Sequence, residues 1–140
     1  MEAIGSQQRI GIARTYALVF GIAYLSVALL EVILGGNGLS VGNTVILKVT
    51  PVQNAIHWIV GLVVLGSFFS TDAVAKTVAR VIGIVFVLVT ALGFLARDLT
   101  GQLLGFDGPL PWSYNLVHLA TAAVALFAGF AAERAYSRRV

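Results

Sequence analysis

Residues 15–34 read TYALVFGIAYLSVALLEVIL, a run in which Glu31 is the single charged residue. An α-helix needs about 20 largely apolar residues to cross the hydrocarbon core of a bilayer, and this run has that length. Three more follow, at about Pro51–Ser70, Thr77–Ala96 (with Arg80 in its first turn) and Trp112–Ala132. Each is continuously apolar, whereas the strands of a membrane β-barrel alternate over about ten residues. The spacing therefore predicts four membrane-spanning helices.

The whole chain agrees with that reading. Of its 140 residues 59% are hydrophobic and 11% charged, and its mean hydropathy is +0.94. Soluble domains run about 45–50% apolar and about 25% charged. A soluble enzyme, a nucleic-acid binder and a disordered tail are all disfavoured, and the partner expected first is the lipid bilayer. The net charge of +3 sits at the ends of the apolar runs, so it reads as membrane topology and not as affinity for nucleic acid. The chain has no cysteine, which excludes disulfides, thiol catalysis and Cys-ligated metal. The first run exceeds the about 7–15 residues of a signal-peptide core, so it is expected to stay as a span.

The boundaries carry their own signals. Gly35, Gly36, Asn37 and Gly38 stop the first helix, since Gly and Asn accept the left-handed conformation. Pro51 suits the first turn of the second helix. Ser70, Thr71 and Asp72 form a short turn, with Thr71 or Asp72 as the cap of the third. Pro109 and Pro111 lead into the fourth. Basic residues set the orientation. One side holds Arg9, Arg14, Lys76, Arg80, Arg134, Arg138 and Arg139, and the other holds Lys48 and Arg97. Both termini are thus expected in the cytoplasm. Trp58, Trp112, Tyr114 and Tyr136 are expected at the membrane interfaces, and Arg97 and Asp98 as a solvated pair.

The chain also repeats itself. Ala13, Thr15, Ala17, Gly21 and Ile22 recur as Ala75, Thr77, Ala79, Gly83 and Ile84, 62 residues on, while Asn54 and His57 recur as Asn115 and His118, 61 residues on. The repeating unit is a helical hairpin, one copy in residues 12–71 and the other in 74–133. Both copies start on the same side, which predicts a pseudo-two-fold axis along the membrane normal. The apolar pieces Val45–Leu47 and Leu103–Phe106 are too short to span and are expected either at the outer interface or dipping back toward the bundle.

These motifs carry a resemblance. The basic-Thr-x-Ala-x-x-x-Gly start and the Asn-x-x-His opening of the next helix resemble a bacterial four-helix membrane family of unknown function, domain family 4383. In its second motif a Gly follows the His by four residues. Asn54, His57 and Gly61 fit, whereas Ala122 stands in place of that Gly after Asn115 and His118. The chain is similar, more weakly, to the DoxX-like small membrane proteins. The resemblance implies an all-α four-helix bundle in the bacterial inner membrane and supplies no activity.

Polar groups inside a span mark candidate function. Here they are Glu31, Asn54, His57, Asn115 and His118. Asn54 and His57 share a helix face, as do Asn115 and His118. One reading makes all five structural pins that fix helix register. A second gives His57 and His118 to a cofactor, such as haem, a chlorophyll-type pigment or a quinone. Glu31 then either completes a ligand set or a proton relay with them, or snorkels to the outer water. Gly61, Gly66, Gly83, Gly93, Ala120 and Ala123 are expected where helices approach closely. No nucleophile with a base, phosphate loop or carboxylate pair is evident, so the expected role is non-catalytic. The chain would serve as an accessory protein, alone, as a homo-oligomer or as a subunit of a larger membrane complex, with a small oligomeric transporter as a further alternative.

Overall fold

A computed structural model describes residues 10–35, 38–42 and 44–137. Of the boundary and orientation residues named above, Arg9, Gly36, Asn37, Arg138 and Arg139 lie outside the described residues, as do the side chains of Arg134 and Tyr136. The elements in chain order are α1 (Ile12–Leu34), β1 (Leu39–Val41), β2 (Thr44–Leu47), α2 (Pro51–Phe68), α3 (Asp72–Leu95), α4 (Arg97–Leu103) and α5 (Trp112–Ser137). The helices α1, α2, α3 and α5 are long and apolar enough to cross a membrane.

Local chemistry explains the boundaries. Gly35 ends α1 in the left-handed region at φ 60°, and its N–H returns to Glu31 and Val32 carbonyls. Thr50 caps α2 with a full capping box: its hydroxyl accepts from Gln53 N, and the Gln53 side chain accepts from Thr50 N. That box lies in the sequence as Thr50 followed by Gln53. Thr71 caps α3 through Val74 N at 3.3 Å. This starts α3 five residues before the expected Thr77, and Arg80 stands two turns into the helix instead of in its first turn.

The four long helices pack chiefly as two pairs, α1 with α2 and α3 with α5. Small residues make the pairing close. A Cβ built on Gly21 would lie 2.7 Å from the Leu65 backbone, and one on Gly83 would lie 2.6 Å from Leu126 Cδ2. Buried α1 positions Ala13, Ala17, Gly21 and Ala28 stand 62 residues before buried α3 positions Ala75, Ala79, Gly83 and Thr90. Gly61, Val64 and Ser67 of α2 likewise stand 61 before Ala122, Ala125 and Ala128 of α5. Three of the expected small contacts are elsewhere: Ala120 and Ala123 are exposed and Gly66 faces open space. The close-packed small residues of α5 are Ala122, Ala125, Ala128 and Gly129, on its opposite face. The central core joins both pairs through Tyr16, Val64, Ala79, Ile82 and Ala125. Large apolar side chains point outward around the bundle, with Leu95 85% and Ile33 71% exposed, as lipid-facing positions should be.

At one end lie the β1–β2 hairpin and α4, neither of which the sequence reading anticipated. The strands pair antiparallel with Leu39 opposite Leu47. This end is tied together across the two pairs. Tyr114 of α5 holds the backbone of Lys48 by donating to its carbonyl and accepting from its N–H, and the Thr50 hydroxyl donates to Leu104 O. Arg97 is not a solvated partner of Asp98. It is half-buried, donates through Nε and Nη2 to Leu110 O, and stacks 4.3 Å over the Trp112 ring.

Candidate functional site

His57 sits in the second turn of α2 and His118 in the second turn of α5. Both line one cavity of about 480 Å³ at the hairpin end of the bundle. Each imidazole leans on a ring from the first helix of its own pair. His57 lies 5.9 Å from Tyr24 and His118 lies 5.6 Å from Phe86, centroid to centroid. Tyr24 and Phe86 then stack on each other at 6.2 Å. The two pairs thus meet through four consecutive rings. Val27, Val60, Ile82, Val85 and Val117 complete an apolar wall, and Gln53, Ser113, Tyr114 and Thr121 add polar edges. The Nδ1 atom of each histidine is buried without a hydrogen-bond partner among the described residues, although for His57 the Gln53 backbone one turn back is close.

The asparagines do not share this cavity. Asn115 is 1% exposed, donates from Nδ2 to Thr90 O at 3.3 Å, and packs against Gly93. Asn54 lines a second cavity of about 570 Å³, also at the hairpin end, with Glu31, Lys48, Thr50, Phe106 and Asp107. Spacing alone put each Asn with its His. The side chains diverge because positions three apart on a helix differ by about 60° in direction, enough to reach different neighbours.

Glu31 corrects two expectations. It does not snorkel, since it is 6% exposed with Oε1 buried. Nor does it join the histidines as a third ligand or relay member, because it lines the other cavity. Among the described residues, no three His, Asp or Glu side chains cluster to hold a metal ion.

Tyr24 and Phe86 were not singled out in the sequence. Their signal was nevertheless present: they are aromatic and lie 62 apart, the offset at which the sequences of α1 and α3 match. Chemically, the histidine cavity has the make-up of a small-molecule site, with apolar and aromatic walls and few polar groups. A neutral imidazole offers one donor and one acceptor.

Four apolar spanning helices with short connections make this a small membrane protein. More closely, residues 14–131 match the family described as Domain of unknown function (DUF4383), and the chain belongs to that family. No curated protein and no solved structure matches the chain, and the weaker likeness to DoxX-like proteins is not supported.

Proposed function

We propose that this chain is a non-catalytic accessory protein of the bacterial inner membrane whose bundle holds a small ring-bearing apolar molecule, of the quinone class, between His57 and His118. The observation that carries the reading is the single cavity of about 480 Å³ onto which both histidines open, with Tyr24 and Phe86 beside them. Planar rings stack well on aromatic side chains. A ring carbonyl accepts a hydrogen bond from an imidazole N–H, which anchors the ring without any bond being made or broken. The two hairpins, 12–71 and 74–133, are read as a parallel duplication. Its support is the matching burial at positions 62 and 61 apart and the matching ring pairs Tyr24–His57 and Phe86–His118. Both termini are placed in the cytoplasm by the excess of Lys and Arg on that side.

The test is direct. The full chain is purified from its membrane in mild detergent, extracted with organic solvent, and the extract analysed by mass spectrometry and absorption spectroscopy. An isoprenoid quinone at near-stoichiometric yield is expected, falling at least about tenfold in the His57→Ala, His118→Ala double variant, which corresponds to about 1.4 kcal/mol. A wild-type extract without a bound ring compound, together with no thermal shift on adding a water-soluble quinone, overturns the reading and leaves the histidines as register pins. A reporter fused to the C-terminus that is active outside the cytoplasm overturns the topology.

A further inference from the structure

The second cavity has a different chemistry. Glu31 Oε1 and Asn54 Oδ1 are both buried without a hydrogen-bond partner among the described residues, and both residues line this one space. A buried acceptor left unpaired costs about 1–3 kcal/mol, and more when it carries charge. Two such acceptors on one cavity call for a donor. Asp107 lines the same cavity and adds a further carboxyl, while Lys48 is its one cationic lining residue among the described residues. The acceptors thus outnumber the cation, and the donor sought is itself positively charged.

A metal ion fits poorly. Calcium takes six to eight oxygens and magnesium demands near-octahedral geometry, whereas the buried donors here are one carboxyl and one amide. A primary ammonium matches them, because it offers three N–H donors in a compact tripod. The cavity's place narrows the source. Glu31 is in the last turn of α1 and Thr50 and Pro51 open α2, so the site lies where apolar spans give way to the polar loops. Lipid headgroups occupy that depth. Val32 and Phe106 add apolar lining beside the polar groups. Lys48, whose backbone is fixed from both sides by the Tyr114 hydroxyl, stands at the cavity to meet a phosphate.

We propose that the cavity bounded by Glu31, Asn54, Lys48 and Asp107 binds the headgroup of an ethanolamine phospholipid. The ammonium donates to Glu31 Oε1 and Asn54 Oδ1, and the phosphate is met by Lys48. The site is independent of the histidine cavity and of whatever occupies it. Its selectivity follows from hydrogen-bond count: the trimethylammonium of a choline phospholipid has the same charge and no N–H to give.

The experiment uses the full chain in detergent and native mass spectrometry with added phosphatidylethanolamine or phosphatidylcholine of the same acyl chains. Wild type is expected to retain the ethanolamine lipid about tenfold better, the equivalent of about 1.4 kcal/mol. Glu31→Gln should abolish the preference while keeping the wild-type melting temperature within a few degrees. Lys48→Ala, at an exposed side chain that the fold does not need, should weaken binding of both lipids several-fold. Equal retention of the two lipids by wild type overturns the proposal, as does an unchanged preference in Glu31→Gln. Tighter ethanolamine binding in Lys48→Ala also overturns it, since Lys48 would then be the cation that Glu31 holds. Displacement of the lipid by an equal concentration of free phosphoethanolamine overturns the assignment to lipid.

Discussion

At the hairpin end of the bundle, α1 and α2 bring Glu31 and Asn54 to an open cavity, whereas α3 and α5 close Gly93 onto Asn115. Gly93 stands 62 residues after Glu31 and Asn115 stands 61 after Asn54, the offsets at which the two halves of the sequence match. The outcome is opposite. Where the first helix offers Gly, the Asn side chain enters the helix interface, reaches the Thr90 carbonyl and is 1% exposed. Where it offers Glu, Glu31 and Asn54 both line a cavity, and Glu31 Oε1 and Asn54 Oδ1 have no partner among the described residues. A Glu at one site and a Gly 62 residues on thus accompany a polar cavity and a close-packed interface respectively. Deeper in the bundle the pairs behave alike, with Gly21 on Leu65 and Gly83 on Leu126.

The largest test attacks that shared feature. Gly21→Ala puts a methyl 2.7 Å from Leu65 Cα and N. Backbone cannot rotate away, so α1 and α2 must separate, and overpacking of this kind costs about 2–3 kcal/mol. Gly83→Ala meets Leu126 Cδ2 and Cγ first, with the Leu126 N at 3.0 Å. A rotamer change relieves part of the clash, and the expected loss is smaller, about 1–2 kcal/mol. Unfolding in detergent, followed by the fluorescence of Trp58 and Trp112, measures both. Equal losses would show that the two interfaces are governed by something other than what the Cβ meets.

The next test breaks the comparison at the hairpin end. Asn115→Ala removes the bond to Thr90 O and empties a fully buried site, for about 1–2 kcal/mol. Asn54→Ala removes an acceptor that has no partner among the described residues, and stability should stay within about 0.5 kcal/mol of wild type. Similar losses in both would mean that Asn54 is bonded and that the two ends are more alike than their geometry indicates.

Those asymmetries explain what was legible in the sequence. The four spans were, because lipid demands about 20 apolar residues in each and nothing subtler. The caps at Gly35, Pro51 and Thr71 were too, because they act within one turn. His57 and His118 stood out because they are ionisable groups inside apolar spans, and the structure puts both on one cavity. The fate of Glu31 was not legible. Whether a carboxyl near a helix end snorkels or turns inward depends on the neighbour across the interface, which no local pattern encodes. The β1–β2 hairpin and α4 escaped notice for the same reason. They are short, and contacts made far along the chain hold them in place, such as Tyr114 on Lys48 and Arg97 on Leu110.

Those long-range ties supply a smaller test. Thr50 caps α2 through Gln53 N and also donates to Leu104 O, joining the two pairs with one hydroxyl. Loss of a Thr cap costs about 1 kcal/mol. Thr50→Ser keeps the hydroxyl and should stay near wild type, whereas Thr50→Ala should lose that amount and increase amide exchange in α4. An effect on melting without any change in α4 exchange would confine Thr50 to its cap.

The smallest expected effect lies at the opposite end, where in each pair an arginine of one helix donates to a backbone carbonyl of the other. Arg14 Nε donates to Phe68 O at 2.9 Å and stacks 5.3 Å over the Phe68 ring. Arg80 Nε donates to Gly129 O at 3.2 Å and stacks 4.8 Å over Phe130. The acceptors Phe68 and Gly129 are 61 apart, yet the donors are not equivalent: Arg80 corresponds to Leu18, one turn beyond Arg14. Phe68 ends α2, so its carbonyl is one of the orphans of a helix end, whereas Gly129 lies inside α5, which continues to Ser137. Half-buried contacts of this type contribute about 0.5–1 kcal/mol. Arg14→Lys keeps the charge and loses the planar donor with its ring stacking. It should therefore recover little of the loss seen in Arg14→Ala. Full recovery would make charge at the membrane boundary, and not the bond to Phe68 O, the reason for a cation there.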